Sequence, residues 1–249
     1  MSRLKASSIH LAITLIALVI VFLLTRFLWY PSPLLRVDGG VQAFGLLVGV
    51  SLVLGPLLTA FVFRSGKRGL ISDMALIGIA QILAFGFCVH LLYVRRIQIV
   101  VYSQGAFHSL DRAHIAFIGP KGRALLRAAH KRPLYVYVHL PHDKLAMEGV
   151  EIRTLRGEPP IFLRGWRYRP YTAQERKRVA LKGFPLIKLA ETNPKAAQAL
   201  ARFRSHHRAL SHYTFVPLYG TESAAILAIN RADGRVAGVL RFNPGIGSE

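Results

Sequence analysis

Residues 9–28 read IHLAITLIALVIVFLLTRFL, and the rest of the chain is interpreted from this run. A helix needs about 20 successive apolar residues to cross lipid, whereas the apolar part of a cleaved signal peptide is only about 7–15 residues long. No small-x-small cleavage pattern follows. The chain instead meets Trp29, Tyr30 and Pro31, aromatic residues suited to a membrane interface and a proline that ends a helix. Arg26, one turn inside, can snorkel to the headgroups. The run therefore predicts an uncleaved anchor.

Two further runs of the same kind follow, at about 43–63 and 73–94. The second contains Gly55-Pro56 within LVLGPLLT, where the missing proline N–H predicts a kink that Thr59 or a neighbouring helix can relieve. The third carries Gly78, Ala80, Ala84 and Gly86, small residues that permit close helix contact. Ser72 or Asp73 is its expected N-cap. Its single cysteine, Cys88, is the only one in the chain, so no intrachain disulfide can form and a packing role is expected. The fold class expected is a membrane protein: three transmembrane α-helices in residues 1–95, followed by a small α+β soluble domain with an antiparallel sheet in residues 96–249.

Arg3, Lys5, Arg64, Lys67 and Arg68 flank the N-terminus and the second loop, against Arg36 alone in the first. Positive residues favour the cytoplasmic side, which predicts a cytoplasmic N-terminus and a periplasmic C-terminal domain. Arg95 and Arg96 point the other way, but a domain of this length translocates largely regardless of charge. Between the interfaces Asp73, at a helix end, is the only acid and lysine is lacking. Transporters and pumps place ionisable groups at mid-membrane, so conduction and pumping are not expected.

The formal net charge is +21, and residues 95–249 hold 26 Lys/Arg against 10 Asp/Glu. Such a field favours anionic partners: lipid headgroups, nucleic acid or an acidic protein surface. A plainly solvated basic surface is the alternative. In this part the hydrophobic period changes. Strands are expected over 97–102, 106–109 and 134–140. Helices are expected over 121–129, 173–181 and 194–210, the last capped by Asn193 with Pro194 at its first position. A meander of strands over 213–217, 224–230 and 235–242 closes the chain, with Asp233-Gly234 as a turn.

Signs of chemistry are sparse. No Gly-x-Ser-x-Gly elbow and no phosphate-binding loop occurs in the sequence. His139, His142 and Asp143 resemble a metal cluster, but Pro141 breaks any helix there and a strand would split the histidines between two faces. His206, His207 and His212 suit the carbonyl end of a helix. No catalytic residue, cofactor or metal is expected. The informative surface stretch is 162–171, FLRGWRYRPY, because Trp, Tyr and Arg dominate binding hot spots and can also stack on bases. Arg164, Trp166, Arg167, Tyr168, Arg169 and Tyr171 are the candidate contact residues there, with Gly55 and Pro56 in the membrane. The plain alternative for 162–171 is a strand with arginines outward and aromatics inward.

The start MSRLKA, the post-span Trp29-Tyr30-Pro31, the run Leu52-Val53-Leu54-Gly55-Pro56-Leu57-Leu58-Thr59, the loop Lys67-Arg68-Gly69-Leu70 and the C-terminal Phe215-Val216-Pro217-Leu218 together resemble the type IV pilin accessory proteins of the TfpX/TfpZ family. Where that family commonly carries an acid before the second-span motif, this chain has Ser51. The resemblance implies a bacterial inner-membrane protein that assists or tunes pilus biogenesis by contacting a major or minor pilin, with other pilus-assembly membrane proteins as further partners. It implies no catalytic residue. The other function class the residues leave open is a membrane-tethered basic domain that binds nucleic acid or anionic lipid.

Overall fold

The computed structural model describes residues 3–62, 69–140, 144–207 and 209–245, so Arg64, Lys67, Arg68, His142 and Asp143 lie outside the described residues. The chain divides into two units, Met1–Arg96 and Ile97–Glu249.

Unit 1 is helical. α1 (Arg3–Leu24) continues through a five-residue π turn, Thr25–Trp29. A short α2 (Leu34–Val37) precedes α3 (Gly40–Val62) and α4 (Leu70–Val94). Three stretches, Lys5–Trp29, Gly40–Val62 and Leu70–Val94, are long and apolar enough to cross a membrane. Most large apolar side chains on them face outward, among them Ile13, Ile16, Phe61 and Ile82. Outward-facing apolar residues suit lipid as the solvent, because a helix in lipid satisfies its backbone internally and exposes its side chains. α4 does not begin at a Ser72 or Asp73 cap. Gly69, with φ +82°, stands before its first residue, and glycine takes that left-handed conformation without a Cβ penalty.

Unit 2 is a seven-stranded sheet flanked by helices. Its elements are β1 (Ile99–Ser103), β2 (Ala106–Leu110), α5 (Gly119–Ala128), β3 (Leu134–Val138), α6 (Lys144–Leu155), β4 (Tyr168–Pro170), α7 (Ala173–Leu181), α8 (Leu186–Thr192), α9 (Pro194–Arg204), β5 (Tyr213–Tyr219), β6 (Ala224–Asn230) and β7 (Val236–Leu240). The strand order is β4-β3-β1-β2-β5-β6-β7. The expected antiparallel sheet is corrected to a mixed one: β1 runs parallel to β3, and β2 parallel to β5. The physical cause is connection. β1 and β2 form a tight hairpin through Gln104 and Gly105, both at positive φ. β2 therefore ends beside the start of β1; α5 carries the chain past β1, and β3 enters from that same end and so runs in the direction of β1. The β1 run Ile99-Val100-Val101 is buried on both faces, the signature of an interior strand. Pro217 is tolerated in β5 because the β2–β5 ladder runs only over Leu218 and Tyr219, beyond it.

One face of the sheet holds two cores. Ile99, Val101, Leu110, Val136 and Tyr168 pack with Ile118, Leu126, Ile161 and Leu163, while Phe215, Ile226, Ala228 and Leu240 pack with Leu186, Ala196, Ala199 and Phe203 of α8 and α9. On the other face, α7 lies against β5, where the Thr214 hydroxyl donates to the Ala180 carbonyl at 2.5 Å. The Asn193 side chain caps α9, accepting from Lys195 N and Ala196 N. α9 ends at Arg204, short of the expected 210, and α6 and α8 are helices the sequence reading left unassigned.

Candidate functional site

The apolar helices of unit 1 enclose a line of polar groups. His10 Nδ1 on α1 shares a 2.8 Å hydrogen bond with Thr59 Oγ1 on α3, and the Ser7 hydroxyl donates to the Pro56 carbonyl at 3.1 Å. From the other side, Gln81 Nε2 on α4 donates to the Ser51 carbonyl at 2.9 Å. α3 is thus pinned to both neighbours by side-chain hydrogen bonds. Gly55 is the reason the two sets come so close. A Cβ built there would lie 2.7 Å from both Gln81 Oε1 and His10 Nε2. The close approach is therefore at Gly55 of α3. Gly78 and Gly86 of α4, expected to serve that purpose, have no neighbour within 4 Å of a built Cβ.

Gly78 and Gly86 instead help line a groove of about 640 Å³ between α1 and α4. Ile9, Ile13, Ile82 and Phe85 form apolar walls, and His10, Thr14, Thr59 and Gln81 supply the polar groups. At the other end α1 and α4 are tied together: the Tyr30 hydroxyl donates to the Leu92 carbonyl at 3.2 Å, and Trp29 and Tyr93 meet edge-on with centroids 5.5 Å apart. Two oxygens at the polar line, Gln81 Oε1 and Ser51 Oγ, are buried without a hydrogen-bond partner. In a medium without water such groups cost free energy until a donor arrives. Of these two residues Gln81 lines the groove, and Ser51 is not among its lining residues.

Gly55 and Pro56 thus sit at the centre of unit 1, and both are buried. The six candidates of unit 2 separate. Arg164 is 1% exposed. Its Nε donates to the Pro159 carbonyl at 3.0 Å, one Nη donates to Thr154 Oγ1 at 2.9 Å, and the same nitrogen lies 3.4 Å from Glu158. The expectation of an outward arginine is corrected there: Arg164 is an internal brace. Tyr168 is also internal, and its hydroxyl donates to the Phe162 carbonyl at 2.6 Å. Trp166, 49% exposed, and Arg169 face solvent. Arg167 reaches the His139 carbonyl at 3.3 Å. Tyr171 belongs to a ring cluster with Phe107 and Tyr135, and burial raises its hydroxyl pKa. Only Tyr168–Pro170 is a strand. The preceding turns dock on α5 by backbone contact, since a Cβ on Gly165 would meet Gly122 Cα at 2.8 Å.

His108 stacks on Phe162 at 4.1 Å and on Tyr219 at 5.5 Å. Burial lowers its pKa to about 4, so the ring is neutral at pH 7 and acts as a packing aromatic. Among the described residues no cluster of three His, Cys, Asp or Glu side chains could hold a metal ion.

Over 113 residues, 45% of its length, the chain is 31% identical to the fimbrial assembly protein of serogroups C1 and C2 of Dichelobacter nodosus, and the match covers 86% of that protein. This chain belongs to the fimbrial assembly protein family. The fimbrial assembly proteins of serogroups I and E1 of the same bacterium are 31% and 30% identical over 113 residues, 44% of each. The matched segment is thus less than half the length of those two relatives. No family model matches the chain, and no solved structure does either.

Proposed function

We propose that this fimbrial assembly protein is a non-enzymatic accessory of type IV pilus biogenesis, of the TfpX/TfpZ kind. It sits in the bacterial inner membrane with its N-terminus cytoplasmic and its basic domain periplasmic, and it contacts pilin. The observation that carries the reading is the groove between α1 and α4, an apolar channel with the polar side chains His10, Thr14, Thr59 and Gln81 set in its lining. A pilin awaiting assembly is a single membrane helix, and a helix laid in that groove would bury its apolar face against Ile13, Ile82 and Phe85 while offering a donor to the polar line. Helix association in lipid depends on such packing and interhelical hydrogen bonds, since lipid tails are as apolar as the side chains. Family membership supports the pilus setting. The basic residues of the N-terminal tail support the orientation.

Deleting the gene while leaving the pilin gene intact is the test. Surface pili are expected to fall several-fold with pilin still present in the membrane fraction, and re-expression of this chain is expected to restore them. Unchanged surface pili in the deletion strain would remove the proposal.

A further inference from the structure

α9 carries Lys195, Gln198, Ala199 and Arg202 at helical spacing along one stripe, and His206 follows just past its end. This stripe borders a second groove, of about 660 Å³, whose other side is Val239, Leu240 and Arg241 at the end of β7. Among the described residues no aspartate or glutamate lines it. Phe203, buried and stacked on His207 at 3.9 Å, forms its floor. β7 is the terminal strand of the sheet, paired with β6 on one side only. Successive side chains of a strand point to opposite faces. The groove reaches Val239, Leu240 and Arg241 at the C-terminal end of β7, whose outer edge is not paired in the sheet.

We propose that this groove receives an extended acidic segment of a partner protein, which adds to the sheet along β7 and sets its carboxylates against Lys195, Arg202 and Arg241. An exposed edge strand offers unpaired N–H and C=O groups to such a segment. Charge complementarity selects the occupant, because the lining carries Lys195, Arg202 and Arg241 and, among the described residues, no acid. Single charges on an edge strand also serve to repel aggregation, but that purpose needs the charge on the strand. Here Lys195 and Arg202 sit on α9, on the other side of the groove from the end of β7. From Lys195 to Arg202 the helix rises about 10 Å, the length of roughly three extended residues. Single-stranded nucleic acid fits the groove less well, since base binding needs open aromatic faces and the floor ring Phe203 is buried. This site is independent of the membrane groove.

The test uses the full chain in phosphatidylcholine nanodiscs and a fluorescein-labelled, end-capped Glu-Val-Glu-Val-Glu-Val peptide, read by anisotropy. Saturable binding is expected, weakened at least tenfold by R202E/R241E. Its lysine counterpart and a version N-methylated at alternate amides are expected not to bind. Arg202 and Arg241 are exposed, so the double variant is expected to melt like wild type; exposed Lys195→Glu, a second variant, is expected to weaken binding as well. No binding of the acidic peptide, affinity unchanged by the charge reversals, or equal binding of the N-methylated peptide would overturn the proposal. An oligothymidylate that binds where the peptide does not, and is lost in R202E/R241E, would assign the groove to nucleic acid and overturn it too.

Discussion

Gly55→Leu is expected to loosen the three-helix unit by roughly 3 kcal/mol, combining overpacking of about 1–3 kcal/mol with lost interhelical hydrogen bonds of about 0.6 kcal/mol each on average. The first atom of the new side chain would already fall 2.7 Å from Gln81 Oε1 and His10 Nε2, and its branches have nowhere to go but through them. Displacing Gln81 breaks its bond to the Ser51 carbonyl, and displacing His10 breaks its bond to Thr59. Both neighbours of α3 are thereby released at once. Gly55→Ala is milder, because the end of Gln81 is flexible and can swing aside. Titrating the purified full chain from mild detergent into sodium dodecyl sulfate reads the difference. Gly55→Leu should unfold at a clearly lower mole fraction than wild type, with Gly55→Ala between them. A transition that stays in place for Gly55→Leu would show that the helices do not meet there.

Arg164→Met is expected to cost unit 2 about 3 kcal/mol, at the low end of what breaking a buried, hydrogen-bonded charge costs. Methionine keeps the apolar stem but removes every donor. The Pro159 carbonyl and Thr154 hydroxyl then lose their buried partner, and Glu158 loses its counter-charge. A domain of this size should melt lower by about 10 °C, measured by circular dichroism on the full chain in detergent. Arg164→Lys should recover little, because an ammonium cannot reproduce the planar fork that serves acceptors on two sides. The exposed neighbour gives the contrast: Trp166→Ala should leave the melting temperature within about 1 °C, since surface substitutions are usually within about ±0.5 kcal/mol. A melting temperature for Arg164→Met equal to wild type would contradict its place as a brace.

The membrane half was legible because lipid imposes one rule on every residue of a span. Long apolar runs therefore gave three helices within a few residues of their ends. In the sequence Gly55 stood out only beside Pro56, as a kink and a candidate contact, and not as the point where α1 and α4 come closest to α3. Gly78 and Gly86 look like contact residues in sequence, and only the three-dimensional packing shows them facing an open groove. The polar line escaped for a related reason. His10 and Gln81 lie 71 positions apart, and no local pattern announces that both meet α3. In unit 2 the strands were readable from β-branched runs, whereas their pairing direction was not. Alternation of side chains is the same in parallel and antiparallel ladders, so the mixed sheet depends on where α5 returns the chain. Arg164 misled because a charged residue is almost never fully buried unless paired, and its partners at 154, 158 and 159 are brought to it by the turn after α6. The α9 stripe was visible as a basic helix end, but its facing strand edge was not.

In vivo photo-crosslinking tests the central claim most directly, with a photoreactive residue placed singly at Ile13 and Ile82 on the groove walls and at Phe61, exposed on α3 and not part of the groove lining. The account predicts that pilin is trapped from Ile13 and Ile82 and not from Phe61. Pilin trapped equally from all three positions, or from Phe61 alone, would contradict it.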